Sequence, residues 1–126
     1  MTLKIVDGKF DYERTYYIAG PMTGYENYNY PAFDAALELC ASAGIKAVSP
    51  HHAPWPANVA DFSEEELWGA MIRTTMRMLL DCNGIIFLNG WTESRGALLE
   101  ANVAAQLKFP AYFLDGRFLV SMGRRS

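Results

Sequence analysis

Four short apolar segments alternate with three segments of helical periodicity, and this alternation limits the possible folds more than any other feature of the chain. The apolar segments cover residues 15–19, 45–49, 84–88 and 111–114. Apolar side chains recur at helical spacing over residues 31–44, 63–80 and 97–107. Such alternation is typical of an α/β fold, in which right-handed crossovers connect parallel strands. We therefore expect a parallel sheet of four to five strands with helices on both faces.

Three loops of unusual composition follow these strands. In open parallel sheets, ligands bind beyond the carboxyl ends of the strands, so the three loops are expected to converge there. Two of them cover residues 50–52 and 89–100. The first loop has two glycines that allow a ligand to approach the backbone closely, and it consists of Gly20, Pro21, Met22, Thr23 and Gly24.

Length and composition are those of a single globular domain spanning residues 1–126, with residues 1–14 as an N-terminal extension of unassigned structure. Apolar residues make up 51% of the chain, which is enough for one core. The net charge of −3 argues against a protein that binds duplex nucleic acid through its phosphates. We also expect no membrane partner, because the chain has neither a signal-peptide pattern nor an apolar run of membrane-spanning length.

The cysteines and histidines give no sign of a metal or redox centre. Cys40 and Cys82 lie in apolar segments at no ligand-like spacing, as expected for reduced core residues of a cytoplasmic protein. His51 and His52 are adjacent, and the sequence places no third ligand near them, so metal binding is not expected. We expect no cofactor.

The segment after the third strand contains the most unusual residue, Glu100. Ser94 is suited to cap the helix that follows, and Gly96 allows close approach of a ligand or another segment. Glu100 falls on an apolar stripe of that helix, so its carboxylate must be solvated in a cleft, paired or chemically used. Two interpretations remain open. One is a structural carboxylate, solvated or paired with Arg73 or Arg77; the other is a nucleophile or acid–base group acting on a sugar carbon.

The same helix start is a candidate anion site. Ser94 either serves only as a cap, or it helps the free amides and the helix dipole to hold a phosphate beside Arg95. The Thr23 hydroxyl and the amides of residues 20–24 are candidates for the other side of a ribose or phosphate. No P-loop or GxGxxG pattern is present. Six aromatic residues are candidates for stacking on a base, and the alternative is that they pack in the core or in loops. They are Tyr17, Tyr25, Tyr28, Tyr30, Trp55 and Trp91.

Two motifs resemble the nucleoside 2-deoxyribosyltransferase-like family, in particular a small bacterial and phage branch. They are YIAGPMTG at residues 17–24 and GWTESRGALLE at residues 90–100. The resemblance extends over about residues 16–114. It implies a flavodoxin-like sheet and cleavage or transfer at the N-glycosidic bond of a (deoxy)nucleoside or nucleoside 5′-monophosphate.

The resemblance also implies roles for individual residues. Glu100 matches the family's nucleophile, Tyr17 matches the sugar pocket, and Ser94 and Gly96 match the seat of the 5′ end. The expected substrate-binding set from both motifs is Tyr17, Gly20, Pro21, Met22, Thr23, Gly24, Trp91, Ser94, Arg95 and Gly96.

The chain departs from the family pattern where related proteins often carry an aspartate. Thr75 follows Arg73 in the second helix, and Asn83 precedes the third strand. A glycoside-cleaving enzyme generally uses a second group to assist the leaving base. The alternative hypothesis is therefore a nucleotide-binding protein without turnover, such as a sensor or a sequestering protein. A third is a structural α/β subunit that binds no nucleotide.

A second apolar stripe on the last helix favours self-association. It consists of Leu98, Ala101 and Ala105 and points away from Glu100. Because a helix that is apolar on two sides must be covered on both, we expect a homodimer or higher homo-oligomer. Many members of the family that the motifs resemble also assemble in this way.

Overall fold

The computed structural model describes residues 2–6, 9–53 and 59–122; for Val59 it describes the backbone alone. Trp55 and the basic residues at the C-terminus lie outside the described residues. The helices and strands alternate in much the order that the sequence predicts. They are β1 (Lys4–Ile5), β2 (Thr15–Ala19), α1 (Tyr30–Ser42), β3 (Lys46–Val48), α2 (Glu64–Leu80), β4 (Gly84–Phe87), α3 (Arg95–Gln106), β5 (Ala111–Asp115) and β6 (Phe118–Ser121).

The six strands form one mixed sheet in the order β1-β6-β5-β4-β2-β3. The four strands β3, β2, β4 and β5 are parallel to one another, as the helical crossovers between them require. Since β2 pairs with β3 on one side and β4 on the other, connections leave these central strands in opposite directions. A topological switch point therefore lies between β2 and β4.

The expectation of an all-parallel sheet of four to five strands is wrong at one edge. Strand β6 runs antiparallel to β5, and β1 pairs in parallel with β6, so six strands are present and two of them oppose the rest. The physical cause is the tight turn after Asp115, where Gly116 has a φ of 62° and the chain folds back as a hairpin. Residues 4–5 of the N-terminal extension thereby join the sheet.

Helices cover both faces of the sheet, as expected. Helix α1 packs through Phe33 and Cys40 on the face to which Tyr16 and Ile18 of β2 point. Helices α2 and α3 pack on the opposite face, to which Tyr17 and Ala19 point. Because side chains of a strand alternate between faces, this arrangement aims Tyr17 at α3.

Local capping signals set the helix starts. Ser63 and Glu66 form the capping box that the sequence predicts for α2, with both reciprocal hydrogen bonds present. The Ser94 hydroxyl accepts a hydrogen bond from the Ala97 amide at 3.2 Å, so α3 begins at Arg95, two residues before the predicted start. The N-terminal end of α3 consequently lies immediately after the loop that leaves β4.

The second apolar stripe of α3 is partly uncovered. Leu98 is 46% exposed, and Ala101 and Ala105 line an apolar groove together with Trp91 and Phe109. The stripe is therefore available to a second subunit. The expected homo-oligomer remains a prediction. Sedimentation equilibrium tests it, and the finding of monomer alone would contradict it.

Two further expectations concern the core and the membrane. Cys40 and Cys82 are free and buried, as predicted, and burial raises the pKa of each thiol to about 11. Along the described residues, no helix is both long and apolar enough to span a bilayer.

Gly84 allows β4 to pack beneath an aromatic ring. It pairs with Tyr16 across the β2–β4 ladder, and a Cβ at residue 84 would overlap the Tyr16 ring. We expect Gly84→Ala to lower the free energy of unfolding by about 1–3 kcal/mol, because overpacking forces a buried ring to move. Urea unfolding followed by circular dichroism measures this change.

Gly69 provides the matched control. It lies inside α2, and a Cβ there would meet no neighbouring atom within 4 Å. Gly69→Ala should raise the free energy of unfolding by up to about 1 kcal/mol, because alanine favours a helix more than glycine does. If both variants unfold at the same urea concentration, the close packing of Tyr16 on Gly84 does not limit stability.

Candidate functional site

A cleft opens at the carboxyl edge of the sheet, between α2, the N-terminal half of α3 and the loop after β2. Its cavity has a volume of about 80 Å³. At about 30 Å³ per water, this volume holds two or three water molecules, which is far less than a whole nucleotide occupies. The lining residues are Gly20, Met22, Thr23, Pro50, Trp68, Met71, Ile72, Thr75, Ser94, Gly96, Ala97 and Glu100.

Glu100 lies in this cleft as a buried carboxylate that accepts a hydrogen bond from a tyrosine. Its residue is only 5% exposed, and the Tyr17 hydroxyl donates to Oε2 at 2.8 Å. Within the described parts of the chain, neither Arg73 nor Arg77 forms an ion pair with it. The paired alternative is thus excluded in this chain, and Glu100 is a carboxylate held by hydroxyl groups in a cleft.

Burial controls the charge of Glu100. Loss of water raises the pKa of this carboxyl from 4.5 to about 7, while hydrogen bonds from Tyr17 and Thr75 pull the pKa down. The carboxyl therefore changes between its protonated and ionised forms near neutral pH. Carboxyls with this behaviour are frequent in active sites, although structural networks also produce them.

Tyr17 is a fixed hydrogen-bond donor. Burial, and then the neighbouring carboxylate of Glu100, raises the pKa of its hydroxyl well above 10, so the phenol stays protonated. The residue is fully buried and reaches Glu100 instead of lining the cavity. Tyr17 consequently positions the carboxylate; the expected direct contact with a sugar remains a prediction.

Thr75 completes the buried hydroxyl cluster. Its hydroxyl donates to the Ile72 carbonyl oxygen at 3.3 Å, and its proximity to Glu100 and Tyr17 lowers the pKa of both groups. The position at which related proteins often carry an aspartate thus faces Glu100. A hydroxyl there can orient the carboxylate but cannot serve as a general acid.

Ser94 and Gly96 line the cavity at the start of α3. Ser94 uses its hydroxyl as the helix cap, so that part of its expected function is confirmed. Among the described residues, the amides of Arg95 and Gly96 donate to no protein acceptor. These two amides and the positive end of the helix dipole are available to an anionic group.

Arg95 is held against α2. Its guanidinium lies 3.6 Å from the centre of the Trp68 ring and donates to the Glu65 carboxylate at 3.0 Å. Arg95 does not line the cavity, whereas Trp68 does. Its predicted contact with a phosphate would therefore require it to leave Glu65.

The remaining motif residues divide between the cleft and its surroundings. Gly20, Met22 and Thr23 line the cavity, whereas Pro21 and Gly24 do not. Trp91 packs on Phe87, with 4.2 Å between ring centres, in the apolar groove of α3. Tyr25 and Tyr28 are exposed, and Tyr30 packs against His51.

Sequence analysis missed the contribution of α2. Trp68, Met71, Ile72 and Thr75 form one wall of the cavity. The apolar periodicity over residues 63–80 places Trp68, Ile72 and Leu79 on one stripe of the helix. Leu79 is fully buried, but Trp68 and Ile72 face the cleft. A signal was present in Thr75, a hydroxyl close to an apolar stripe.

The hydroxyl cluster leads to a prediction for the titration of Glu100. Tyr17→Phe and Thr75→Val each remove a group that lowers the pKa of Glu100, so the pKa should rise above about 7 in both variants. A hydrogen bond to a charged group contributes about 1.5–3 kcal/mol. Because one pH unit is worth about 1.4 kcal/mol, the expected rise is roughly one to two pH units. Carboxyl ¹³C NMR titration measures it.

Thr74→Val is the matched control for Thr75→Val. The Thr74 hydroxyl donates to the Ala70 carbonyl at 3.1 Å, so its loss should leave the titration of Glu100 unchanged. A Glu100 titration in Tyr17→Phe that matches the wild-type protein would contradict the assigned hydrogen bond.

Comparison with known proteins places the chain in a family defined by sequence. Residues 14–113 match the model of a domain of unknown function, DUF4406. No curated protein matches the chain. The matched region begins just before β2 and reaches into β5, so it includes Tyr17, Thr75 and Glu100. Since the match covers most of the 126 residues, the chain belongs to the DUF4406 family.

Proposed function

We propose that this protein cleaves the N-glycosidic bond of a (deoxy)nucleoside or nucleoside 5′-monophosphate, with Glu100 as the nucleophile. One observation carries the proposal: a buried carboxylate, held by Tyr17 with Thr75 beside it, lies in a cleft at the topological switch point of the sheet. The resemblance of the two motifs to nucleoside 2-deoxyribosyltransferase-like proteins supports the same chemistry.

The proposed reaction has two displacement steps. Because Tyr17 holds Oε2, Oε1 is the oxygen that attacks the anomeric carbon. The carbon–nitrogen bond breaks, and the base leaves with the bonding electron pair and takes up a proton. Water, or a second base, then attacks the same carbon, the glycosyl ester breaks, and the Glu100 carboxylate is restored.

The described lining of the cavity contains no second ionisable group that could protonate the departing base. Among the lining residues that the structure describes, Glu100 is the only ionisable side chain. It acts as the nucleophile in its ionised form and therefore has no proton to donate. We expect bases that leave readily, or that are protonated by solvent, to be the better substrates.

The start of α3 is the proposed seat of the 5′ end. Gly96 lines the cavity together with Gly20 and Thr23, and neither its amide nor that of Arg95 beside it has a protein acceptor among the described residues. The helix dipole favours a phosphate at this position, and a 5′-hydroxyl can use the same donors. A nucleoside 5′-monophosphate therefore fits this arrangement better than a free base.

The alternative proposal is a nucleotide-binding protein without turnover. The observation that favours it is Thr75, a hydroxyl in the position from which an acidic group would assist the leaving base. Thermal-shift measurements separate the two proposals, because a ligand stabilises the folded protein in proportion to the logarithm of its concentration. A nucleotide that raises the melting temperature without being cleaved would select the binding protein.

Base release tests the catalytic role of Glu100. Purified protein should liberate free base from at least one deoxynucleoside or deoxynucleoside 5′-monophosphate, as measured by liquid chromatography. Glu100→Gln should reduce the rate by at least about a thousandfold, because loss of a nucleophile removes the covalent route. Glu93→Gln, an exposed carboxyl just before α3, is the matched control and should retain activity.

The pH dependence separates a nucleophile from a general acid. Glu100 must be ionised to attack, and its pKa is about 7. The value of kcat/KM should therefore rise as pH increases through about 7 and then level off. A decrease across the same range would contradict the nucleophilic role, and activity that survives Glu100→Gln would exclude it.

A further inference from the structure

Three potential metal ligands converge at the carboxyl end of β3. His51 and His52 belong to the short helical turn Pro50–His52, and Asp34 lies in α1, just after its first turn. One ligand atom from each residue lies within 4.8 Å of the others. His51 Nε2 is 2.7 Å from Asp34 Oδ1, and the two imidazole rings stack with 4.0 Å between their centres. Asp34 of α1 is thus the third potential ligand, which the sequence alone did not place near the two histidines.

A contact at the other ring nitrogen, Nδ1, fixes the orientation of the His51 ring. Nδ1 lies 2.5 Å from the Ser49 hydroxyl oxygen, and that oxygen also accepts from the His51 amide at 3.4 Å. The ring packs between Tyr30 and Phe33, and its side chain is only 4% exposed. Metal-binding histidines are usually held in this way, with the free nitrogen aimed at the ion by a hydrogen bond to the other nitrogen.

A serine–histidine–aspartate hydrolase site does not explain the arrangement. In such a site the serine oxygen must reach a substrate. Ser49 is 1% exposed, so its hydroxyl is inaccessible. The buried residue thus orients His51, while the accessible groups are Asp34, with a side chain that is 66% exposed, and His52.

We propose that Asp34, His51 and His52 form a binding site for a divalent transition-metal ion, with Zn²⁺ as the ion that fits them best. Two imidazole nitrogens and one carboxylate oxygen suit Zn²⁺, whereas Mg²⁺ and Ca²⁺ prefer oxygen ligands alone. Three protein ligands leave one tetrahedral position open to water or another ligand. This site is separate from Glu100, although Pro50, the residue before His51, lines the same cleft.

Proton balance follows from the geometry. Zn²⁺ would take the place of the contact of 2.7 Å between His51 Nε2 and Asp34 Oδ1, so any proton held between these two atoms leaves to solvent when the ion binds. Ser49 keeps its contact with Nδ1 on the other side of the ring. His51 Nε2 and Asp34 Oδ1 must separate slightly, because two atoms bound to one Zn²⁺ at about 2.0–2.1 Å lie farther apart than a hydrogen-bonded pair. Exposed Asp34 can make this adjustment.

Zinc titration of the untagged full-length protein tests the site. Competition with a chromophoric zinc chelator should show one Zn²⁺ bound per chain, and calorimetry in buffers of different protonation enthalpy should show proton release on binding. Asp34→Asn and His52→Ala should each weaken zinc affinity by at least about tenfold, and Ser49→Ala by about tenfold through loss of orientation. Circular dichroism without zinc checks that each variant is folded.

Two matched variants complete the experiment. Glu38→Gln changes an exposed carboxyl one turn from Asp34 on the same helix and should retain wild-type zinc affinity. Glu100→Gln should also bind zinc normally, so failure of the proposed catalytic role would leave this site unaffected. The proposal is overturned if the wild-type protein binds no stoichiometric zinc, or if folded Asp34→Asn and His52→Ala bind it as tightly as the wild-type protein.

Discussion

The hydrogen bond from Tyr17 to Glu100 is the interaction on which the candidate site depends. It joins the central strand β2 to helix α3 inside the protein and supplies a donor to a carboxylate that has lost most of its water. Without such donors, a buried charge is strongly unfavourable. Tyr17 and Thr75 reduce this penalty without removing it, since the pKa of Glu100 is still raised to about 7.

The remaining penalty affects stability in a defined pH window. Between pH 4.5 and about 7 the folded chain retains a proton on Glu100 that the unfolded chain has released. The contribution of this group to stability therefore falls as pH rises through that window and is constant above it. At about 1.4 kcal/mol for each pH unit, the total is about 3 kcal/mol. A carboxylate retained at such a cost to stability is more consistent with chemical use than with packing.

The sheet brings the parts of the site together from distant positions in the sequence. Strand β2 presents Tyr17 to one face because Tyr16 and Ile18 occupy the other, and it ends at the Gly20 loop. Strand β4 ends next to it and leads through Gly90 into α3. The strand order therefore produces the cleft, and helix α2 completes its wall with Trp68, Ile72 and Thr75.

Local features were the most predictable from sequence. The Thr15–Ala19 strand, the α2 capping box and the Ser94 cap depend on neighbouring residues, and the structure contains all three. The strand–helix alternation also predicted that the loops after the strands meet at one edge of the sheet. Thr23 and Ser94 do line one cavity with Glu100 there.

Long-range pairings were less accessible to sequence analysis. Nothing local connects β1 with β6, so the reversed edge of the sheet was missed although the Asp115–Gly116 turn signal was present. Likewise, Asp34 reaches His51 only because α1 packs beside the end of β3. The sequence did not indicate that Trp68 and Ile72 line the cleft, because an apolar helical stripe does not reveal which of its residues enter the core.

Covalent trapping tests the central claim most directly. A slow substrate, such as a 2′-fluorinated arabinonucleotide, should leave its sugar on the nucleophile, because the electronegative substituent slows hydrolysis of the glycosyl ester. We expect intact-protein mass spectrometry to show one added sugar unit and peptide mapping to locate it on Glu100. A protein that releases base but carries no adduct, or carries it on another residue, would contradict the assignment of Glu100 as the nucleophile.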